Sequence, residues 1–211
     1  MNTNILETPV SPPLASPAPA PSVARLSARA RLLAAAEELF YKEGVHNVGI
    51  ERVIERAGVA KASLYGNFKG KDDLVRAYLV ERREARQARI LAKLARYEQP
   101  RDKILAIFDL LAEIFAEPNY RGCAFMRASA EMQPGSSGRE VCEGARLWTR
   151  AVLVDLASRC GAARPQDLGH QLHLLYDGAA VSAQMDGGAT AALAARAVAA
   201  QMLDTACPPR G

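Results

Sequence analysis

Gly58 separates two apolar-periodic segments that are each too short to hold together alone. Ile50, Val53, Ile54 and Ala57 make the inner stripe of the first, and Leu64 and Phe68 that of the second, which runs from Ala60 to Asn67. Isolated helices shorter than about 12–15 residues are marginal in water. Neither segment persists unless it packs on the other and on the longer helix before it, where Leu32, Leu33, Ala36, Leu39 and Phe40 recur at three- and four-residue steps until Gly44. A helix, a glycine turn and a second short helix form a helix-turn-helix.

The rest of the chain repeats the helical period. Asp72 and Asp73 read as the acidic first turn of a fourth helix that runs through Leu74, Tyr78, Leu79, Ile90, Leu91 and Leu94 to Gln99-Pro100. Five more helical segments are expected near 102–116, 122–133, 137–160, 166–186 and 189–206, separated by Gly- and Pro-rich breaks. No strand pattern stands out, so the expected class is all-α with about nine helices: a small N-terminal three-helix head and a larger helical body. Residues 1–24 hold six of the twelve prolines and one charged residue, Glu7, and read as a disordered tail.

Charge is unevenly placed. Residues 25–71 carry nine Lys or Arg against five Asp or Glu, whereas residues 72–211 carry eighteen against seventeen. The net +4 therefore resides in the head, which suits a polyanionic partner. No run approaches the roughly 18 apolar residues of a membrane span, and the first twenty residues lack the pattern of a secretory signal, so a cytoplasmic protein is expected. Cys123, Cys142, Cys160 and Cys207 show no zinc-type spacing and are expected to be reduced.

The segment GVAKASLYGNFKGKDDL, Gly58–Leu74, carries a residue mix that a packed core does not require. With Leu64 and Phe68 turned inward, Lys61, Ala62, Ser63, Tyr65, Gly66 and Asn67 remain on the outer surface and end of a short helix. Such a helix has the right diameter for the DNA major groove. Small residues permit close approach, and Lys, Ser, Tyr and Asn supply donors. Lys71 stands at the start of the following helix, where its ammonium and the local amides can hold a phosphate.

These residues resemble the tetracycline-repressor-like (TetR) family of transcriptional regulators. The match runs from Arg31 to Leu79, including the LF and G that end helix one, AGV at the turn, SLYGNF, and the K and L that open helix four; a looser echo lies in Gly122-Cys123 and in LYDG, Leu175–Gly178. The resemblance implies a homodimer with DNA-reading heads on a palindromic operator and a helical body that binds a small effector. It divides the chain into a tail (1–24), a DNA-binding head (25–71) and an effector-binding and dimerisation body (72–211). Val48 and Gly49 stand where family members commonly have hydroxyl residues, so those phosphate contacts are not carried over.

In the body, Phe108, Phe115, Cys123, Phe125, Met126, Trp148, Tyr176 and Met185 fit either an apolar ligand cavity or ordinary core. Cys123 fits a sensor of oxidants or a small buried hydrophobe. His170, His173 and Asp177, at i, i+3 and i+7, permit a metal site, but a polar helix face explains them equally. Arg82, Arg86, Arg89, Lys93 and Arg96 read as a solvated basic face. Leu168, Leu172, Leu175, Ala179 and Ala183, with Leu193, Ala197, Val198 and Met202 on the last helix, suit a four-helix dimer interface, or else complete the monomer core. No catalytic constellation or phosphate-binding Gly loop is identifiable, and no cofactor is expected. The reading is a DNA-binding regulator, a repressor released by a small molecule; an activator, a nonspecific nucleoid-type protein and a helical-bundle enzyme are the alternatives.

Overall fold

The computed structural model describes residues 26–207, so the proline-rich tail lies outside the described residues. These fold into α1 (Ala28–Glu43), α2 (Ile50–Ala57), α3 (Lys61–Asn67), α4 (Lys71–Leu94), α5 (Pro100–Phe115), α6 (Ala124–Glu131), α7 (Ser137–Arg159), α8 (Pro165–Asp186) and α9 (Thr190–Ala206). Among the described residues there is no strand.

Local chemistry sets the ends of the head helices. Ser27 Oγ accepts the Ala30 amide at 3.2 Å and starts α1. Gly58 adopts φ 61° and ψ 42°, the left-handed conformation that glycine reaches without a Cβ penalty. Its amide returns to the Glu55 carbonyl and that of Val59 to the Ile54 carbonyl, so α2 stops within one residue. The Arg31 guanidinium donates to the Gly58 carbonyl at 3.1 Å and ties this turn to α1.

Two apolar cores result, and one helix serves both. The head core gathers Leu32, Leu39 and Phe40 of α1, Val53 of α2, Leu64 of α3, and Leu74, Tyr78 and Leu79 of α4. It does not end at residue 71: Phe125 and Ala128 of α6 and Val141, Cys142 and Ala145 of α7 pack into it. The body core takes Ile90 and Leu94 from the far end of α4, with Phe108 of α5, Leu153 of α7, Leu172 of α8 and Leu203 of α9.

The expected stripe divides: its α8 residues complete the monomer core, the alternative reading, while Leu193, Ala197 and Val198 of α9 face outward. Leu168, Leu172, Ala179 and Ala183 are buried inside the monomer, and Leu175 and Met202 are packed against the same core. These residues fill the space that α5, α7 and α9 of the same chain leave open. The apolar face that α8 presents outward is displaced by part of a turn and carries Leu174, Val181 and Met185, the last 77% exposed. On α9 the outward residues are Leu193, Ala197 and Val198.

α7 and α8 approach each other closely at Gly169. A Cβ built there lies 2.4 Å from Val154 Cγ2 and 2.8 Å from the Val154 backbone, which no rotamer change relieves. Gly144, on α7, has nothing within 4 Å of the same construction. Gly169→Ala is expected to destabilise the fold by about 1–3 kcal/mol, lowering Tm by about 2–12 °C. Gly144→Ala is expected to stabilise it by about 0.5–1 kcal/mol through helix propensity. Thermal unfolding followed by circular dichroism checks both.

Candidate nucleic-acid interface and ligand cavity

α3 buries one edge and exposes the rest. Leu64 and the following Phe68 are buried, whereas Lys61, Ala62, Tyr65, Gly66 and Asn67 are exposed and Ser63 is half-buried. Tyr65 stands 53% exposed, and a Cβ at Gly66 would meet nothing within 4 Å. The helix therefore offers an unobstructed, small-residue surface flanked by a phenol and an ammonium. Lys61 Nζ lies 3.6 Å from Glu51 on the exposed surface. Asn67 Nδ2 donates to the Ser63 carbonyl at 2.7 Å, which closes the last turn of α3. Lys71 Nζ donates to the His46 carbonyl at 3.1 Å, leaving two of its protons for another acceptor. α4 begins without a side-chain cap, so its first amides are also free for an anion.

Between the two cores lies a cavity of about 930 Å³, walled by α1, α4, α6, α7 and α8 with the ends of α5 and its following loop. Of the expected pocket residues, Phe115, Cys123, Phe125, Met126 and Tyr176 line it. Phe108 does not: it lies two turns before Phe115 on the same face of α5 and is fully buried in the body core. Trp148 lines a separate, shallower concavity with Leu91, Lys103 and Val152. Burial pushes the Cys142 thiol on the cavity wall up to about 12, so it behaves there as a neutral group. The wall also includes Leu33, Glu37 and Tyr41 of α1, a helix of the head.

The solvated basic face expected on α4 holds only in part: Arg89 and Arg96 are exposed but Arg82 and Arg86 are half-buried, and Arg82, Arg86 and Arg89 all line the cavity. Arg82 stacks on the Tyr41 ring, 3.9 Å from its centroid, and pairs with Glu37 at 3.2 Å. Six arginines and five carboxylates line the space, and each carboxylate has an arginine. Arg29 pairs with Glu81, Arg82 with Glu37, Arg89 with Glu117, Arg139 with Glu143 and Arg146 with Asp177. Arg86 alone among them has no carboxylate within 4.0 Å among the described residues; it donates to the Ala145 carbonyl at 2.7 Å and to Thr149 Oγ1 at 3.2 Å.

Of His170, His173 and Asp177 only the last two meet, with His173 Nδ1 3.8 Å from Asp177 Oδ2. His170 is exposed, His173 is 1% exposed on the cavity wall, and Asp177 holds Arg146. Among the described residues no group of three His, Cys, Asp or Glu side chains is placed to hold a metal ion.

α6 connects cavity and head. The Arg127 guanidinium donates to the Tyr41 carbonyl at 2.7 Å, and Glu131 Oε2 accepts the His46 amide at 2.7 Å. His46 is thus held on its amide by α6 and on its carbonyl by Lys71 of α4. These links were not read from the sequence, because Glu131 and His46 are 85 residues apart and carry no motif.

Comparison with known proteins follows the same division. Residues 32–78 match the family described as bacterial regulatory proteins, tetR family. A solved TetR-family transcriptional regulator from Streptomyces coelicolor is 30% identical, with a TM-score of 0.80 over 85% of this chain and 96% of that one. A second solved chain, from Streptomyces avermitilis, is 32% identical, with a TM-score of 0.78 over 86% and 98%. The HTH-type transcriptional regulator TtgR of Pseudomonas putida is 34% identical over 89 residues, and the matched segment spans 41% of its length and 42% of this chain. No helix among the described residues is long and apolar enough to cross a membrane.

Burial lowers the His173 imidazole below its ordinary value; Asp177 pulls it upward but Arg146, Arg150 and Arg86 oppose that pull. The folded chain refuses a proton that the unfolded chain accepts, so His173 costs stability as pH falls through about 6.5. Between about pH 7 and pH 5.5 urea-unfolding stability is expected to fall less steeply for His173→Gln than for the unaltered chain. Parallel slopes for the two would remove His173 from the acid response.

Proposed function

The chain belongs to the TetR family of bacterial transcriptional regulators, and on that premise we propose that it is a cytoplasmic, homodimeric repressor that a small molecule releases from a palindromic operator. The observation that carries the DNA reading is the exposed face of α3. Its inner residues, Leu64 and Phe68, are spent on the head core, so Lys61, Ala62, Tyr65, Gly66 and Asn67 are exposed to a groove and Ser63 partly so. Lys61 opens α3 and reaches toward base-edge acceptors, with Ala62, Ser63 and Gly66 permitting close approach. Tyr65, Asn67 and Lys71 flank it at the height of the phosphates, Lys71 reinforced by the uncapped start of α4.

Two heads are needed to read two half-sites one helical turn apart, about 34–36 Å. The outward apolar face of Leu174, Val181 and Met185 on α8, with Leu193 and Val198 on α9, supports a four-helix dimer interface. This face keeps Leu193 and Val198 of the expected stripe and takes Leu174, Val181 and Met185 in place of its inward α8 residues.

The cavity supports effector control because it is walled by both head and body. A ligand there touches α1 and α6 together, and α6 grips the end of α1 through Arg127 and the α1–α2 loop through Glu131. A molecule that binds better when α6 is displaced shifts the population toward heads that no longer match successive major grooves. No catalytic assembly is needed for this work.

Selection from random duplexes is expected to enrich a short palindrome. On that sequence Lys61→Ala is expected to cost roughly 1–3 kcal/mol, and much less on unrelated DNA. Lys71→Ala is expected to weaken both about equally and to reduce the slope of log K against log salt by about 1. Equal losses on both DNAs for Lys61→Ala would reduce Lys61 to a backbone contact.

Val181→Glu places a charge at the centre of the outward α8 face without touching the monomer core. Light scattering is expected to give a monomer of unchanged helicity, with operator binding weakened at least tenfold because one head supplies half of the contacts. A persistent dimer would move the interface elsewhere.

A further inference from the structure

The cavity holds one guanidinium that the chain leaves without a counter-charge, and this fixes the class of molecule that completes the site. Resting on the reading of the cavity as the effector site, we propose that the effector is a monoanion: a single carboxylate or comparable oxyanion on an aromatic or otherwise apolar body, bound by Arg86.

Five of the six lining arginines are neutralised by the five lining carboxylates, so the walls carry one net positive charge, at Arg86. Arginine stays protonated at any relevant pH. Its two recorded acceptors, the Ala145 carbonyl and Thr149 Oγ1, are neutral, and both engage Nη2. Nε is buried and has no hydrogen-bond partner. With Nη2 engaged, Nε and Nη1 carry no acceptor from the chain among the described residues, so the guanidinium keeps donors for an oxyanion beside its unmatched charge.

The neighbouring groups add donors without adding negative charge. His173 on α8 is buried with Nδ1 unpartnered, and burial keeps it neutral. Burial also holds the Tyr176 phenol in its protonated form. Phe125 stacks under Arg86, with Cζ 4.5 Å from the ring centroid, which fixes the plane of the guanidinium. Around this point the walls are apolar, with Phe115, Met126 and Leu111 among them. A cation would meet Arg86 uncompensated, and a dianion such as a phosphate ester would find only one free partner. A volume of about 930 Å³ leaves room for a body of one to a few rings.

The test uses the full chain and three probes that share one ring system: 2-naphthoate, 2-naphthamide and 2-naphthylmethylammonium, together with the anionic dye 1-anilinonaphthalene-8-sulfonate. Isothermal titration is expected to show 2-naphthoate binding at least about tenfold tighter than the amide, with the ammonium weakest. Arg86→Gln is expected to bring 2-naphthoate down to the affinity of the amide and leave the amide unchanged. Arg86→Lys, which keeps the charge but not the fork, is expected to retain part of the preference. Circular dichroism shows whether either variant is folded, and the comparison of acid with amide in the unaltered chain stands without them. Equal affinity for the acid and the amide would overturn the monoanion while leaving the cavity as a ligand site. Failure of the dye and all three naphthyl probes to bind would overturn both readings.

Discussion

α4 loses its apolar stripe for nearly three turns in mid-course, and the arrangement of the protein follows from that gap. Its first turns place Leu74, Tyr78 and Leu79 in the head core, and its end places Ile90 and Leu94 in the body core. Between them Arg82, Arg86 and Arg89 recur at helical spacing on the inner side. Guanidinium groups cannot pack dry against one another, so the two cores cannot merge there. A cavity opens, and the carboxylates of α1, α7, α8 and the loop after α5 are drawn to its walls.

The same gap leaves α4 as a continuous link between head and body. Twenty-four residues of continuous helix make a rod of about 36 Å that carries any tilt in the body to the groove-facing end. The second connection runs through α6 and is mixed: Phe125 and Ala128 pack into the head core, while Arg127 holds the end of α1 and Glu131 the α1–α2 loop, which in turn holds Lys71. Polar contacts at a half-exposed boundary exchange with water at modest cost, whereas the cores on either side stay close-packed. A ligand in the cavity, as proposed, would act at the seam of least cost.

The architecture was legible in the sequence because each helix carries its own evidence: an apolar period, a Gly or Pro stop, and for α2–α3 the Gly58 turn. α3 was equally readable, since Leu64 and Phe68 declare the buried side. Burial partners were not. Leu172 and Ala179 look the same on a dimer face as in a monomer core, and only the positions of α5 and α9 decide between them. Phe108 and Phe115 lie seven residues apart on α5, yet one fills the core and the other the cavity wall. Arg82 and Arg86 read as solvated because sequence does not reveal that Glu37 or Phe125, from distant helices, stands opposite them.

The pairing of cavity charges has an evolutionary side. A site lined by ten mutually neutralised groups and one unmatched cation stores specificities it does not currently express. Loss of any one carboxylate, by a single nucleotide change to a neutral residue such as Glu117→Gln, would free a second arginine at a different point on the wall. These pairs sit at the cavity and not in the close-packed cores, so such a change leaves the scaffold standing. A lineage carrying this fold can therefore acquire a regulator for a dianion, or for a monoanion of another shape, in one step and without rebuilding the protein.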